Sequence, residues 1–117
     1  METASAILTF AALAQETRLD VFRLLVKSEP DGVAAGDIAR ELAVPHNTMS
    51  SHLGVLARAG LVVAERRSRL IVYRVNLERV REVVTFLLQD CCGGRPELCS
   101  SIIDALIPCC SKEPAHD

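Results

Sequence analysis

The chain has no uninterrupted apolar run of the roughly 18 residues that a membrane-spanning helix needs, although half of its residues are hydrophobic. Its opening, METASAILTF, has neither a basic leader nor a small-residue cleavage pattern. These two absences predict a cytoplasmic protein with no membrane partner. Cysteine is missing from positions 1–90, and all five cysteines crowd into positions 91–117. A secreted disulfide scaffold spreads an even set through its loops, so an odd set gathered at one end argues instead for metal binding or redox chemistry in a reducing compartment. There is no internal repeat and no low-complexity stretch. At 117 residues the chain can build one core and is too short for two ordinary domains.

The formal net charge of -2 conceals an uneven distribution. Positions 1–45 carry four basic and seven acidic groups, positions 46–81 seven and two, and positions 82–117 two and six, so only the middle third is basic.

Hydrophobic spacing divides the chain into elements. Positions 4–14 are apolar almost all round (Ile7, Leu8, Phe10, Ala11, Leu13), and a helix there needs cover on more than one face, which a partner chain can supply. Over 15–27, Leu19, Phe22, Leu25 and Val26 are expected on the inner face, and Glu29-Pro30-Asp31-Gly32 ends that helix. A short helix over 35–43 places Ile38 and Leu42 four apart. Val44-Pro45 then turns the chain into a helix over 46–59, with Met49, Leu53 and Leu56 as its buried stripe and Gly60 suited to the left-handed position beyond its end. Two β-rich runs, 61–65 and 70–75, are joined by Arg66-Arg67-Ser68-Arg69, a hairpin with a cationic tip. Over 77–89, Leu77, Val80, Val83, Val84, Leu87 and Leu88 follow helical spacing, and Pro96 can open a last helix whose inner face is Leu98, Ile102, Ala105 and Leu106. The expected fold is mainly α with a small β-hairpin, in the element order of a winged helix-turn-helix.

In that architecture the second helix of the motif enters the DNA major groove with its N-terminal residues toward base edges, while flanking groups hold phosphates. The outward residues of the 46–59 helix are His46, Asn47, Thr48, Ser50 and Ser51, all short donors or acceptors. Asn pairs bidentately with adenine, and Ser or Thr can donate or accept. Arg66, Arg67 and Arg69 supply salt-sensitive phosphate attraction. A polar helix face or an arginine-rich turn is by itself an ordinary solvated surface. Both together, inside the only basic third of the chain, predict DNA binding.

The same residues carry a family resemblance. Ile38-Ala39-Arg40-Glu41-Leu42, followed by Thr48-Met49-Ser50-Ser51-His52-Leu53 and by Leu56-Ala57-Arg58-Ala59-Gly60-Leu61-Val62, resembles the T-V-S-x-H-L-x-x-L-x-x-A-G-L-V signature of the ArsR/SmtB family of winged-helix metalloregulators. LAQETRLDVFRLL resembles that family's opening, and the similarity runs from about Phe10 to Gln89. It implies a homodimer formed by the first and last helices, a palindromic operator, repression in the ligand-free state and release on metal binding. It also divides the chain into a DNA-binding and dimerisation domain over 1–90 and a C-terminal cysteine-rich sensor segment over 91–117. The wing tip departs from the family, in which many members have a glycine. His52 matches a family histidine; as a hydrogen-bonding helix residue it needs no metal. Tyr73 is expected to pack in the hairpin rather than reach a phosphate.

Members of the family sense metals at different places, so the fold does not name the ligand. The C-x-C of many arsenic, cadmium and lead sensors falls in the helix before the recognition helix, and positions 33–42 hold no cysteine. The Asp, His and Glu set of zinc and nickel sensors falls in the last long helix, and 77–89 holds no histidine. What remains is Cys91-Cys92-Gly93-Gly94-Arg95-Pro96-Glu97-Leu98-Cys99. It resembles the vicinal cysteine pair, with a third cysteine after Pro-Glu, of a subgroup of arsenite-responsive repressors. Thiolates alone favour soft ions. Trivalent arsenic is completed by three sulfurs, whereas zinc ordinarily takes four ligands. The inducer implied is trivalent arsenic, with antimonite or trivalent organoarsenicals as relatives, bound by Cys91, Cys92 and Cys99. Cys109 and Cys110 have no family counterpart; an accessory site, an aid to metal transfer and no role all fit them. A structural zinc site and a redox or persulfide-sensing thiol switch are the competing uses of the cluster. A thiol enzyme such as an arsenate reductase is disfavoured, because there is no C-x-x-C, no phosphate-cradling loop and no acid or base assigned beside the thiols.

Overall fold

Helix α1 (Thr3–Leu13) buries only its small side chains: Ala6, Thr9 and Ala12 are at most 2% exposed. The Thr9 hydroxyl donates to the Ser5 carbonyl at 2.9 Å, which removes the cost of burying it. Ile7, Leu8 and Phe10 point outward. The all-round apolar character seen in the sequence is therefore covered on one side only by the described chain. The computed structural model describes residues 1–88; the helix expected from Pro96 and all five cysteines lie outside the described residues.

Helix α2 (Glu16–Lys27) starts where the Gln15 side chain accepts from the Arg18 backbone N–H at 2.9 Å. Its buried pair is Val21 and Leu25, spaced i, i+4. Leu19 and Val26, expected inside, are 44% and 42% exposed. At 3.6 residues per turn both lie roughly 100–120° round the helix from Leu25, so they form a separate stripe with half-buried Phe22 between the two. A two-residue strand β1 (Val33–Ala34) then leads into α3 (Ala35–Leu42), and α4 (His46–Arg58) follows after a tight turn. Met49, Leu53 and Leu56 of α4 are at most 2% exposed, as their spacing predicts, and pack with Val21, Leu25, Ile38 and Leu61 in one core.

Strands β2 (Val62–Arg67) and β3 (Leu70–Val75) form the wing, and β1 adds to β3, giving an antiparallel sheet in the order β1-β3-β2. The third strand was not visible in the sequence: its two pairs, Val33 with Tyr73 and Ala34 with Val72, are too short for an alternation to register. The hairpin tip is also shorter than expected. Arg66 and Arg67 pair with Ile71 and Leu70, so they belong to β2, and only Ser68 and Arg69 form the loop. Ser68 has φ 60, the left-handed conformation that a glycine commonly supplies in this turn. The base of the wing is tied to the end of α4 through Asn76, whose amide donates to the Gly60 carbonyl and whose backbone N–H donates to Leu61, each at 2.8 Å. Helix α5 (Leu77–Leu88) closes the described chain, with Val83 buried. Residues Met1–Val83 form one compact unit, and the last five described residues of α5 fall outside it.

Candidate nucleic-acid interface

The turn between α3 and α4 is set by backbone geometry. Ala43 has φ 55 and ψ 46, and the Val44 N–H closes back on the Ala39 carbonyl at 3.0 Å, which terminates α3. Pro45, with φ -56, then launches α4 without capping it by a side chain. The first N–H groups of α4 thus have no side-chain cap, and its first turn holds no acidic residue. Such a helix end attracts a phosphate. Because Met49, Leu53 and Leu56 anchor one face in the core, His46, Asn47, Thr48, Ser50 and Ser51 all come out exposed on the others. These are the five groups expected to meet base edges and phosphates. Beside them an open groove runs along the turn, lined by Gly36, Ala39, Arg40, Val44 and His46 among others. Arg40 is paired with Asp37 one turn earlier on α3.

The wing arginines do not behave alike. Pairing register puts Arg66 on the sheet face of Ile71 and Tyr73, which continues toward the core, and puts Glu65, Arg67 and Arg74 together nearer the opposite face or its edge. Arg66 and Arg69 are exposed and make no ion pair among the described residues. Arg67 is held: Nη2 meets Glu65 Oε1 at 2.6 Å and Nη1 donates to the Asp31 carbonyl at 2.9 Å. Arg74 is held more tightly, with Nε and Nη2 donating to the two Glu29 carboxylate oxygens at 3.0 and 3.1 Å and Nη1 reaching Glu65 at 3.3 Å. The hydrogen bond from Arg67, with a further one from Arg74, keeps the Glu65 carboxyl below its ordinary pKa. Tyr73 is half-buried and packs against the core, as expected.

His52 is half-buried, with Nδ1 3.4 Å from Arg18 Nη1. That Arg18 guanidinium also donates from Nε to the Ala12 carbonyl at 2.6 Å and from Nη2 to Ala11 at 3.4 Å. One side chain thus closes the C-terminus of α1 and reaches α4. Sequence reasoning missed this role, though a signal existed: α1 ends with no basic residue in its last turn, and Arg18 is the first cation after it. Among the described residues there is no group of three or more His, Cys, Asp or Glu side chains that could hold a metal ion. Cys91, Cys92, Cys99, Cys109 and Cys110 lie outside the described residues.

Gly54 sits in the interior of α4, where glycine costs about 0.5–1 kcal/mol relative to alanine. A Cβ added there would meet nothing nearer than the long Arg58 side chain, whose Nη1 lies at 3.3 Å. Gly54→Ala is therefore expected to raise stability by about 0.5 kcal/mol or more, seen as a higher urea midpoint with an unchanged slope. A lower midpoint would mean that Arg58 cannot give way.

Comparison with known proteins agrees with this geometry. Residues 13–65 match a helix-turn-helix domain family. The HTH-type transcriptional regulator YbzH of Bacillus subtilis is 32% identical over 92 residues, covering 67% of this chain and 90% of its own. An ArsR-like transcriptional regulator from Rhodococcus sp. RHA1 superposes with a TM-score of 0.68 at 25% identity, over 88% of this chain and 92% of that one. The homodimeric winged helix-turn-helix DNA-binding domain of a possible ArsR-family regulator from Mycobacterium bovis superposes with a TM-score of 0.61 at 26% identity, over 73% and 77%. Among the described residues no helix is long and apolar enough to cross a membrane. With an outward polar recognition helix, a cationic wing and relatives matched over most of their length, the chain belongs to the ArsR family of winged helix-turn-helix transcriptional regulators.

Proposed function

We propose that the chain is a cytoplasmic, homodimeric repressor of an arsenic-resistance operon. In the ligand-free state it holds operator DNA through His46, Asn47, Thr48, Ser50 and Ser51 in the major groove, with the wing on the backbone. Binding of trivalent arsenic or antimony by Cys91, Cys92 and Cys99 releases it. The observation that carries the ligand is the stretch CCGGRPELC: three thiols and no imidazole, beside a described domain with no metal-holding cluster of its own. Three thiolates suit a soft ion that is complete with three sulfurs. Dimerisation is supported by the outward Ile7, Leu8 and Phe10 of α1 and by the homodimeric Mycobacterium bovis domain.

Induction then requires only a difference in ion affinity between the free and DNA-bound dimers. Linkage makes that difference reciprocal, so operator DNA must weaken arsenite binding by the same factor as arsenite weakens DNA binding. Typical couplings predict a loss of DNA affinity of roughly 5- to 150-fold at fixed salt. The test is release of operator DNA titrated with arsenite, methylarsenite, antimonite, cadmium, zinc and peroxide, for wild type and for each cysteine-to-serine variant. Arsenite is expected to release wild type, and Cys91→Ser, Cys92→Ser and Cys99→Ser are each expected to keep DNA binding and lose the response. Release by peroxide that survives serine at one of the three positions would assign a disulfide switch instead. An unchanged affinity at saturating arsenite would rule the mechanism out.

A further inference from the structure

We propose that Glu65 is a specificity-determining residue that acts as an internal substitute for phosphate, withholding Arg67 from DNA, an assignment that rests on the DNA-binding reading of the wing. β2 reads Glu65-Arg66-Arg67, and strand alternation sends the acid and Arg67 to one face and Arg66 to the other. Glu65 Oε1 lies 2.6 Å from Arg67 Nη2, the geometry of a charge-assisted hydrogen bond. The partners are 37% and 45% exposed, so the pair stands within reach of solvent and of a competing anion, and such pairs contribute little to stability. Its consequence is electrostatic. Of the three arginines in positions 66–69, Arg66 and Arg69 meet DNA with their charge free, whereas Arg67 must first give up a carboxylate. Arg74 stays committed if Glu65 is neutralised, because Glu29 grips it with both oxygens. Removing the Glu65 charge therefore releases one cation per protomer. The Asp31 carbonyl that also holds Arg67 is neutral and does not offset that cation.

Phosphate contacts supply affinity without sequence information, so holding one back lowers binding to random DNA while leaving the base-facing residues of α4 untouched. The test is the salt dependence of binding to a short duplex of random sequence. E65Q is expected to steepen the slope of log K against log salt by about 0.9 per protomer, so that a fourfold rise in salt costs roughly threefold more affinity per protomer than in wild type. R67Q alone is expected to keep the wild-type slope, because Arg67 is not engaged there, and E65Q/R67Q is expected to return to it. R66Q/R69Q should flatten the slope. A structural role for Glu65 would lower binding and would not steepen its salt dependence. An E65Q slope equal to wild type overturns the assignment. So does a flatter slope for R67Q alone, a measurement that does not depend on E65Q folding. If R66Q/R69Q leaves the slope unchanged, or if wild type binds no duplex at low salt, the DNA-binding reading of the wing fails and the assignment falls with it.

Discussion

Leu56→Ala is expected to cost about 2–5 kcal/mol of stability, the range for a fully buried leucine. Leu56 is 0% exposed, and α4 packs against α1, α2, α3 and β2, so the space left by the lost carbons is bordered on every side by elements that are also holding one another. Collapse into the hole would move the recognition helix itself. Against a typical total of about 5–15 kcal/mol, the loss is a large fraction of what holds the domain. For a domain of this size each kcal/mol lowers the melting temperature by roughly 4–8 °C, so a fall of at least about 8 °C is expected. Val63→Ala is the control: Val63 is 43% exposed, and the change should stay within about 0.5 kcal/mol. Urea unfolding of both variants checks the contrast. At temperatures where the Leu56→Ala protein is still folded, its DNA salt dependence should match wild type, because no charge has changed. A Leu56→Ala loss under about 1 kcal/mol would mean the site collapses freely, and that the core is looser than its burial implies.

The parts of the fold that could be read from sequence are those where burial imposes a period. Met49, Leu53 and Leu56 had to face inward together, and that left His46, Asn47, Ser50 and Ser51 outside. Gly60 at φ 80 was legible because few other residues tolerate that backbone. Ala43 at φ 55 and Ser68 at φ 60 were not, since neither residue advertises a left-handed turn. The α2 face was misjudged because two apolar stripes lie side by side, and periodicity cannot say which one meets the core. Polar connections were the least visible. Arg18 bridging α1 and α4, and Glu65 occupying Arg67, depend on which distant atoms meet, and a linear sequence does not record that. The 66–69 stretch thus looked like three equivalent arginines and holds two free ones and one engaged.

Gly32→Ala is expected to be the other severe change, at about 2–4 kcal/mol, from strain at a left-handed position plus steric overlap. Gly32 has φ 78, and a Cβ there would lie 2.7 Å from the Tyr73 carbonyl oxygen, 2.7 Å from Arg74 Cγ and 2.8 Å from Val72 Cγ1. Gly60 offers the contrast. It also has positive φ, at 80, but its added Cβ would meet only the Arg79 guanidinium, at 2.6–2.9 Å. A guanidinium on a long side chain can swing aside, so Gly60→Ala should cost little beyond the left-handed strain, about 1–2 kcal/mol. At Gly32 the obstacle includes β3 backbone, and the least expensive relief is to part β1 from β3, which are joined by only the Val33 and Ala34 pairs. That movement would also push on Arg74, whose Cγ bounds the site and whose guanidinium is gripped by Glu29 from the preceding loop. The damage should therefore appear in two places: a lower urea midpoint, and faster amide exchange at residues 33–34 and 72–73 than in Gly60→Ala. Equal midpoints for the two variants would show that backbone strain alone sets the cost and that β1 contributes nothing to holding the wing.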